Sequence, residues 1–285
     1  MISVPQCRPA VLLTPAFFLF ALVLGSSLAL PKTPAAGADE LPFLLTNGFA
    51  HNDYEHSRPL FDALERGFCA VEADIYLTGG KLLIGHDADK LSPDRTLESL
   101  YLNPLRDRVQ KNGGSVYRGG PEFLLLIDIK TEAEPTYTAL EPVLGKYESM
   151  LTRFSSAGIR TNAITIVLSG ERPIAVVSNQ LTRLVSIDGR LPDLETNPAT
   201  ALVPLVSDNW TRLFRWRGEG LMPQPEKERL KDMVSRAHAQ KRKIRLWAAP
   251  DTPQSWRIQR QLGVDLINTD KLAEFGQFQS GSVPR

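Results

Sequence analysis

From Pro42 onward, short apolar runs alternate with polar loops and stretches of helical character. The runs are Phe43 to Leu45, Cys69 to Leu77, Phe123 to Ile129, Ala163 to Leu168, Leu184 to Ile187, Leu202 to Val206, Lys243 to Ala248 and Val264 to Ile267. Hydrophobicity within them is continuous, as in Phe123-Leu124-Leu125-Leu126-Ile127, which is how a strand covered on both faces reads. The intervening pattern predicts helices. Ser57 can cap one that carries Leu60, Phe61 and Leu64 and stops at Gly67. Others run from about Pro135 to Arg153, from Pro225 to Lys241, and from Pro253 to Leu262 before Gly263. Strands alternating with helices in this way predict an α/β fold, a single (β/α)8 TIM barrel. On periodicity alone a doubly wound open sheet is the alternative.

The N-terminal segment does not share that pattern. Arg8 precedes an uncharged run from Pro9 to Pro31, and small residues follow, which is the layout of a secretory signal. Cleavage after Ala29 or after Ala38 fits, and Ala38 is preferred because Asp39-Glu40 and the first strand-like run come next. The run could also span a bilayer as an uncleaved anchor, but Pro15 and the late small residues favour cleavage. The expected organisation is a signal peptide over 1–38, a barrel over 39–275 and a flexible tail over 276–285. The mature protein is expected to be secreted or held in the periplasm or cell envelope. Cleavage removes Cys7 and leaves Cys69 unpaired, so no internal disulfide is expected.

Composition narrows the function. The 285 residues are 42% hydrophobic and 23% charged with a net charge of +1. That excludes collagen-like, disulfide-scaffold and disordered classes, and leaves nucleic acid without the basic surface it needs. No obligate protein partner is evident.

In a barrel enzyme the site is built at the C-terminal ends of the strands. There the sequence places Ala50-His51-Asn52-Asp53, Val71-Glu72-Ala73-Asp74-Ile75, Gly85-His86-Asp87 and Leu126-Ile127-Asp128-Ile129-Lys130. Glu72 and Asp74 are two apart on a strand and share a face, as do Asp128 and Lys130. Carboxylates side by side in an apolar strand are costly unless a cation neutralises them. Three oxygen donors from adjacent strands suit Mg²⁺ or Ca²⁺. A buried ion-pair network, for example Glu72 with Lys130, is the competing reading. It weakens because His51 and His86 flank the same carboxylates. Two histidines across a metal can act as general base and general acid, a catalyst suited to phosphodiester cleavage.

These segments, together with Gly263-Val264-Asp265-Leu266-Ile267-Asn268-Thr269-Asp270, resemble the superfamily of glycerophosphodiester phosphodiesterases and phosphatidylinositol phospholipase C-like barrels. Leu168-Ser169-Gly170-Glu171-Arg172-Pro173, Asp188-Gly189-Arg190-Leu191 and Ile244-Arg245-Leu246-Trp247 resemble, more narrowly, the branch named for altered inheritance of mitochondria protein six. The resemblance covers nearly all of residues 43 to 275. It implies that His51 and His86 are the catalytic pair, that Glu72, Asp74 and Asp128 are the metal ligands, and that Lys130 contacts phosphate. It further implies pocket roles for Trp247 and Asn268. The implied activity is metal-dependent hydrolysis of a glycerophosphodiester or phospholipid headgroup. The alternatives are a phospholipase D-like lyase or transphosphatidylase that forms a cyclic phosphate, and a non-catalytic envelope binding protein. Two departures stand out. Asn52-Asp53 replaces the usual Arg-Gly after the first histidine, so Asn52 can hydrogen-bond phosphate but brings no charge. Asp128 replaces the usual Glu.

Other candidates have plainer explanations. His238 sits on a charged helix, and His56 fits a loop as well as a site. Ser169-Gly170 reads as turn chemistry. Asp188 and Asp208-Asn209-Trp210 divide evenly between pocket lining and loop capping. The aromatic-basic loop Leu213-Phe214-Arg215-Trp216-Arg217, with Met222, could meet a membrane surface, although packing over the barrel rim is the simpler expectation. Neither a Gly-x-Ser-x-Gly elbow nor a His-x-His pair occurs, which disfavours serine hydrolases and amidohydrolases.

Overall fold

The computed structural model describes residues 42–281. Eight parallel strands form its centre: β1 (Gly48–Ala50), β2 (Ala70–Thr78), β3 (Phe123–Ile129), β4 (Ile164–Gly170), β5 (Val185–Gly189), β6 (Leu205–Asn209), β7 (Lys243–Trp247) and β8 (Ile267–Thr269). β1 to β7 pair in chain order, and β8 pairs back onto β1. A parallel bridge between Arg245 and Leu266 joins β7 to the approach of β8, so the sheet is a nearly closed barrel rather than an open doubly wound sheet. One short antiparallel strand, Lys81–Ile84, folds back along β2.

The inward-facing positions explain both the apolar reading and the site. Outward residues such as Phe123, Leu125, Ile127 and Ile129 of β3 pack against the helices in the main core. Inward residues near the strand starts form a second apolar layer of Phe49, Ala70, Leu126, Val167, Leu205 and Leu266. Further along the same inward faces, the residues turn polar: Glu72, Asp74, Asp128, Ser169, Asp188, Ser207, Arg245 and Asn268. A plugged floor under a polar upper layer is what a barrel enzyme needs.

Two expected strands lie elsewhere. The first is Gly48–Ala50 rather than Phe43 to Leu45, and Leu45 makes only a bridge to Phe68. The last is Ile267–Thr269 rather than Val264 to Ile267. In both, the apolar residues mark the approach, while the laddered stretch leads straight into the polar site residues and so reads as loop. Gly48 has a packing reason as well. A Cβ there would lie 2.9 Å from ring atoms of both Phe68 and Phe275.

The helices Gln224–Ala239 and Pro253–Gln261 lie where the pattern puts them. The expected helix ending at Arg153 stops at Gly145, followed by a single 3-10 turn. Ser57 does not cap the helix Phe61–Glu65; its hydroxyl donates to the Asp62 carboxylate at 3.1 Å. A helix over Asn103–Lys111 was not anticipated, although Leu102, Leu105 and Val109 supply its buried stripe. Residues 276 to 280 continue the last helix, Leu272–Ser280, rather than forming a loose tail. Phe278 is buried there against Trp256, with ring centroids 5.5 Å apart. The rim loop after β6 packs inward, with Phe214, Trp216 and Met222 all buried. Among the described residues no helix is long and apolar enough to cross a membrane. The signal-peptide reading of 1–38 lies outside the described residues.

Asp53, next to the site, is fully buried. The Leu60 backbone N–H (2.5 Å) and the Tyr101 hydroxyl (2.9 Å) both donate to its Oδ2, and Oδ1 has no partner. Burial pushes its carboxyl up to about 7, against the pull of those two hydrogen bonds. The folded protein therefore holds a proton that the unfolded chain releases near its ordinary value of 3.8, and stability drains away as pH rises between the two. Asp53→Asn removes this titration. Its melting temperature relative to wild type is expected to improve from pH 5 to pH 8 in thermal melts, and a difference independent of pH would contradict the assignment.

Candidate active site

A cavity of about 570 Å³ opens at the C-terminal ends of the strands. Its walls include His51, Asn52, Glu72, Asp74, His86, Asp128, Lys130 and Trp247, eight of the nine residues singled out from the sequence. β2 and β3 run in register with Asp74 opposite Asp128, so the two strands present their carboxylates together. One oxygen from each of Glu72, Asp74 and Asp128 lies within 4.8 Å of the others.

Each carboxylate has its own support. Glu72 Oε1 accepts from Arg245 Nη2 at 3.2 Å, and Oε2 accepts from the Asn52 backbone at 3.3 Å. Burial alone would raise the Glu72 carboxyl, but the Arg245 charge, joined by His51, holds it below its ordinary value. Removing Arg245 would strand a buried charge, at a cost of roughly 3–5 kcal/mol. Asp74 Oδ2 accepts from the Tyr54 hydroxyl at 2.6 Å and lies 3.0 Å from Lys130 Nζ. Asp74 Oδ1 is buried with no hydrogen-bond partner. Burial, reinforced by the charge of Glu72, pushes Asp74 up to about 7. Asp128 Oδ1 lies 3.3 Å from Lys130 Nζ without a hydrogen bond, and burial raises this carboxyl too. Burial disfavours the charged Lys130, yet Asp74 and Asp128 raise it above the ordinary lysine value.

The anticipated Glu72–Lys130 pair therefore takes another form. Lys130 serves Asp74 and Asp128, while Arg245 serves Glu72. Two permanent cations contact three carboxylates, and two buried oxygens, Asp74 Oδ1 and Asp128 Oδ1, accept no hydrogen bond. That donor set fits a divalent, oxygen-loving cation.

His51 Nδ1 lies 2.8 Å from Asp270 Oδ1, and Nε2 lies 3.5 Å from Glu72 Oε2. Burial works against its charge, but the hydrogen bond with Asp270 and the charge of Glu72 prevail and raise it above the ordinary histidine value. An N–H donated from Nδ1 to Asp270 leaves Nε2 as the free base on the cavity side. His86 stands on the β2 side, half exposed, with its carbonyl accepting from the Tyr76 hydroxyl at 2.7 Å. Asn52 adopts a left-handed backbone, φ 46°, which asparagine tolerates. Its Oδ1 accepts from the Tyr54 hydroxyl at 2.8 Å, and its Nδ2 has no partner among the described residues.

Asn268 is not brought to the cavity wall. It is only 7% exposed, one layer down, and its Oδ1 accepts from Arg245 Nε at 2.7 Å. Asn268 thus supports Arg245 rather than lining the pocket. Ser169 and Arg190 line the cavity. Asp188 is buried behind them, and Asn209 caps the short helix Trp210–Leu213. His56 lies in a separate surface depression with Asp62 and Lys271. Arg245, Tyr54 and Asp270 were missed. Arg245 had a signal, since it shares the inward face of β7 with Trp247 two residues on. Tyr54 reaches Asp74 and Asp270 reaches His51 through contacts made across the fold.

The family described as AIM6-like phosphodiesterase domain matches residues 44–188, and the glycerophosphoryl diester phosphodiesterase family matches residues 243–273. Altered inheritance of mitochondria protein 6 of Saccharomyces cerevisiae is 30% identical over 271 residues, covering 78% of this chain and 68% of that one. The homolog from Arthroderma benhamiae is 26% identical over 253 residues, covering 78% and 80%. A solved glycerophosphodiester phosphodiesterase from Parabacteroides distasonis aligns with a TM-score of 0.49 at 14% identity, over 83% of this chain and 98% of that one. With a family match across half its length and relatives at this level of identity, the chain belongs to the AIM6-like phosphodiesterase branch of the glycerophosphodiester phosphodiesterase-like superfamily.

Proposed function

We propose that this protein is a metal-dependent phosphoric diester hydrolase that acts on a glycerophosphodiester or phospholipid headgroup. The observation that carries the reading is the cluster of Glu72, Asp74 and Asp128 in one cavity with His51 and His86. Glu72, Asp74 and Asp128 would hold the cation, Mg²⁺ or Ca²⁺, which would offset phosphate charge and make the phosphorus more electrophilic. The contacting charges support this. Three carboxylates, Lys130, Arg245 and a divalent cation leave one positive charge, which a phosphodiester monoanion neutralises.

The protein's own groups do the rest. Asn52 Nδ2 and Lys130 Nζ, both on the cavity wall, would donate to non-bridging oxygens. His51, oriented by Asp270, and His86 divide the proton work: one takes the proton of the attacking hydroxyl as the new P–O bond forms, and the other gives a proton to the departing alcohol oxygen. If water attacks, the product is linear; if a neighbouring substrate hydroxyl attacks, it is a cyclic phosphate. The complete site favours turnover over a purely binding role.

Phosphorus NMR of the protein with a panel of glycerophosphodiesters and lysophospholipids, with Mg²⁺, with Ca²⁺ and with chelator, tests the reading. Product is expected only with cation, and the chemical shift distinguishes linear from cyclic phosphate. Turnover that survives full chelation would overturn it. His51→Ala is expected to lower kcat by roughly 10²–10⁴-fold, and unchanged turnover would remove His51 from the mechanism. Asp270→Asn takes away a contact that raises His51, so the limb of the pH–rate profile governed by His51 should move to lower pH. A limb that stays in place would show that Asp270 does not tune it.

A further inference from the structure

Three permanent cations line the cavity: Lys130, Arg245 and Arg190. The first two already hold carboxylates, although Lys130 keeps a donor for substrate. Lys130 serves Asp74 and Asp128, and Arg245 is buried between Glu72 and Asn268. Asn52, beside His51, adds no charge. Arg190 is different.

Arg190 follows β5, which lies diametrically across the barrel from β1 and His51. One corner of its guanidinium is fixed. Nη1 donates to Asp188 Oδ2 at 2.9 Å and to the Gly189 carbonyl at 2.8 Å. Asp188 is itself immobilised, 1% exposed, accepting from the Ser169 hydroxyl at 2.8 Å and the Ser207 hydroxyl at 2.6 Å. Its carbonyl also accepts from Arg172 Nη1 at 2.6 Å. The other corner is not fixed in this way. Nη2 has only a long 3.4 Å contact with Ser169 Oγ, and Nε has no partner among the described residues. The Ser169 proton is already given to Asp188, so Ser169 orients the arginine and is not itself an anion donor. The Arg190 side chain remains 28% exposed.

A guanidinium clamped at one corner and open at the other is preorganised to bind an oxyanion, because little side-chain entropy is left to lose. We propose that Arg190 is the anion anchor of this cavity, binding a phosphate-type oxygen of the substrate from the wall opposite His51. The identity of that phosphate rests on the phosphodiester reading above; the anchor itself does not. The oxygen belongs either to the phosphate being cleaved or to a second phosphate on the same substrate, since the cavity is larger than one phosphate needs.

The test is titration of inorganic phosphate into the cation-loaded full chain, followed by calorimetry or phosphorus line width, for wild type, Arg190→Gln and Arg190→Lys. Arg190→Gln is expected to weaken phosphate binding roughly 10- to 100-fold, the loss of a charge-assisted contact. Arg190→Lys keeps a cation beside Asp188, guards against misfolding, and should recover part of the affinity. Unchanged phosphate affinity in a folded Arg190→Gln, or no phosphate binding by wild type, would overturn the proposal. Turnover then locates the anion. A raised KM for every phosphodiester supports contact with the cleaved phosphate. A raised KM only for substrates with an added phosphomonoester supports a second anionic subsite. If wild type turns over nothing, the hydrolase reading fails, while the phosphate titration still decides the role of Arg190.

Discussion

Three carboxylates share a space less than 5 Å across at the mouth of a barrel whose floor is sealed with apolar side chains. Like charges in so dry a place cannot all remain ionised without help. Most of the polar architecture around them supplies that help. Arg245 keeps Glu72 charged, Asn268 steadies Arg245, and Tyr54 and Lys130 share Asp74. The help falls short, since Asp74 is still pushed up to about 7. A protein selected for stability alone would have put apolar residues at these positions, because buried ion networks seldom repay their desolvation. The residual misfit is of the kind a divalent cation relieves.

The same constraint accounts for the second histidine partner. Asp270 lies at the end of β8, next to the start of the barrel, so closure brings it 2.8 Å from His51 although 219 residues separate them. Closure likewise sets Arg190 across the cavity from His51. The barrel thus gives the site two walls: an acidic one on β2 and β3 and a basic one reached from β5 and β7.

Much of this was legible in the sequence because strand periodicity converts spacing into facing. Glu72 and Asp74, or Asp128 and Lys130, had to share a side, and strand ends had to share a rim. The barrel was legible for a similar reason, since apolar outer faces and an apolar floor make six of the strands read as continuous runs. The first and last strands were displaced because their paired portions are short and run straight into polar residues, His51-Asn52 after β1 and Asn268-Thr269-Asp270 at β8. Arg245 hid in a strand otherwise taken as core, while Tyr54 and Asp270 gain meaning from contacts with distant segments and Arg190 from its place across the barrel from β1. Asn268 was read as a pocket residue by resemblance, and it lies beneath the pocket against Arg245.

The central claim is that the carboxylate cluster is a cation site. Thermal unfolding of wild type and Asp74→Asn at pH 7.5, with chelator and then with saturating Mg²⁺ or Ca²⁺, tests it directly. Cation is expected to raise the wild-type midpoint, by about 2.7 kcal/mol of stability at a hundredfold excess over Kd. Asp74→Asn, relieved of the crowded charge, should match or exceed chelated wild type yet gain little from cation. A wild type indifferent to both cations, or a variant that responds equally, would contradict the claim.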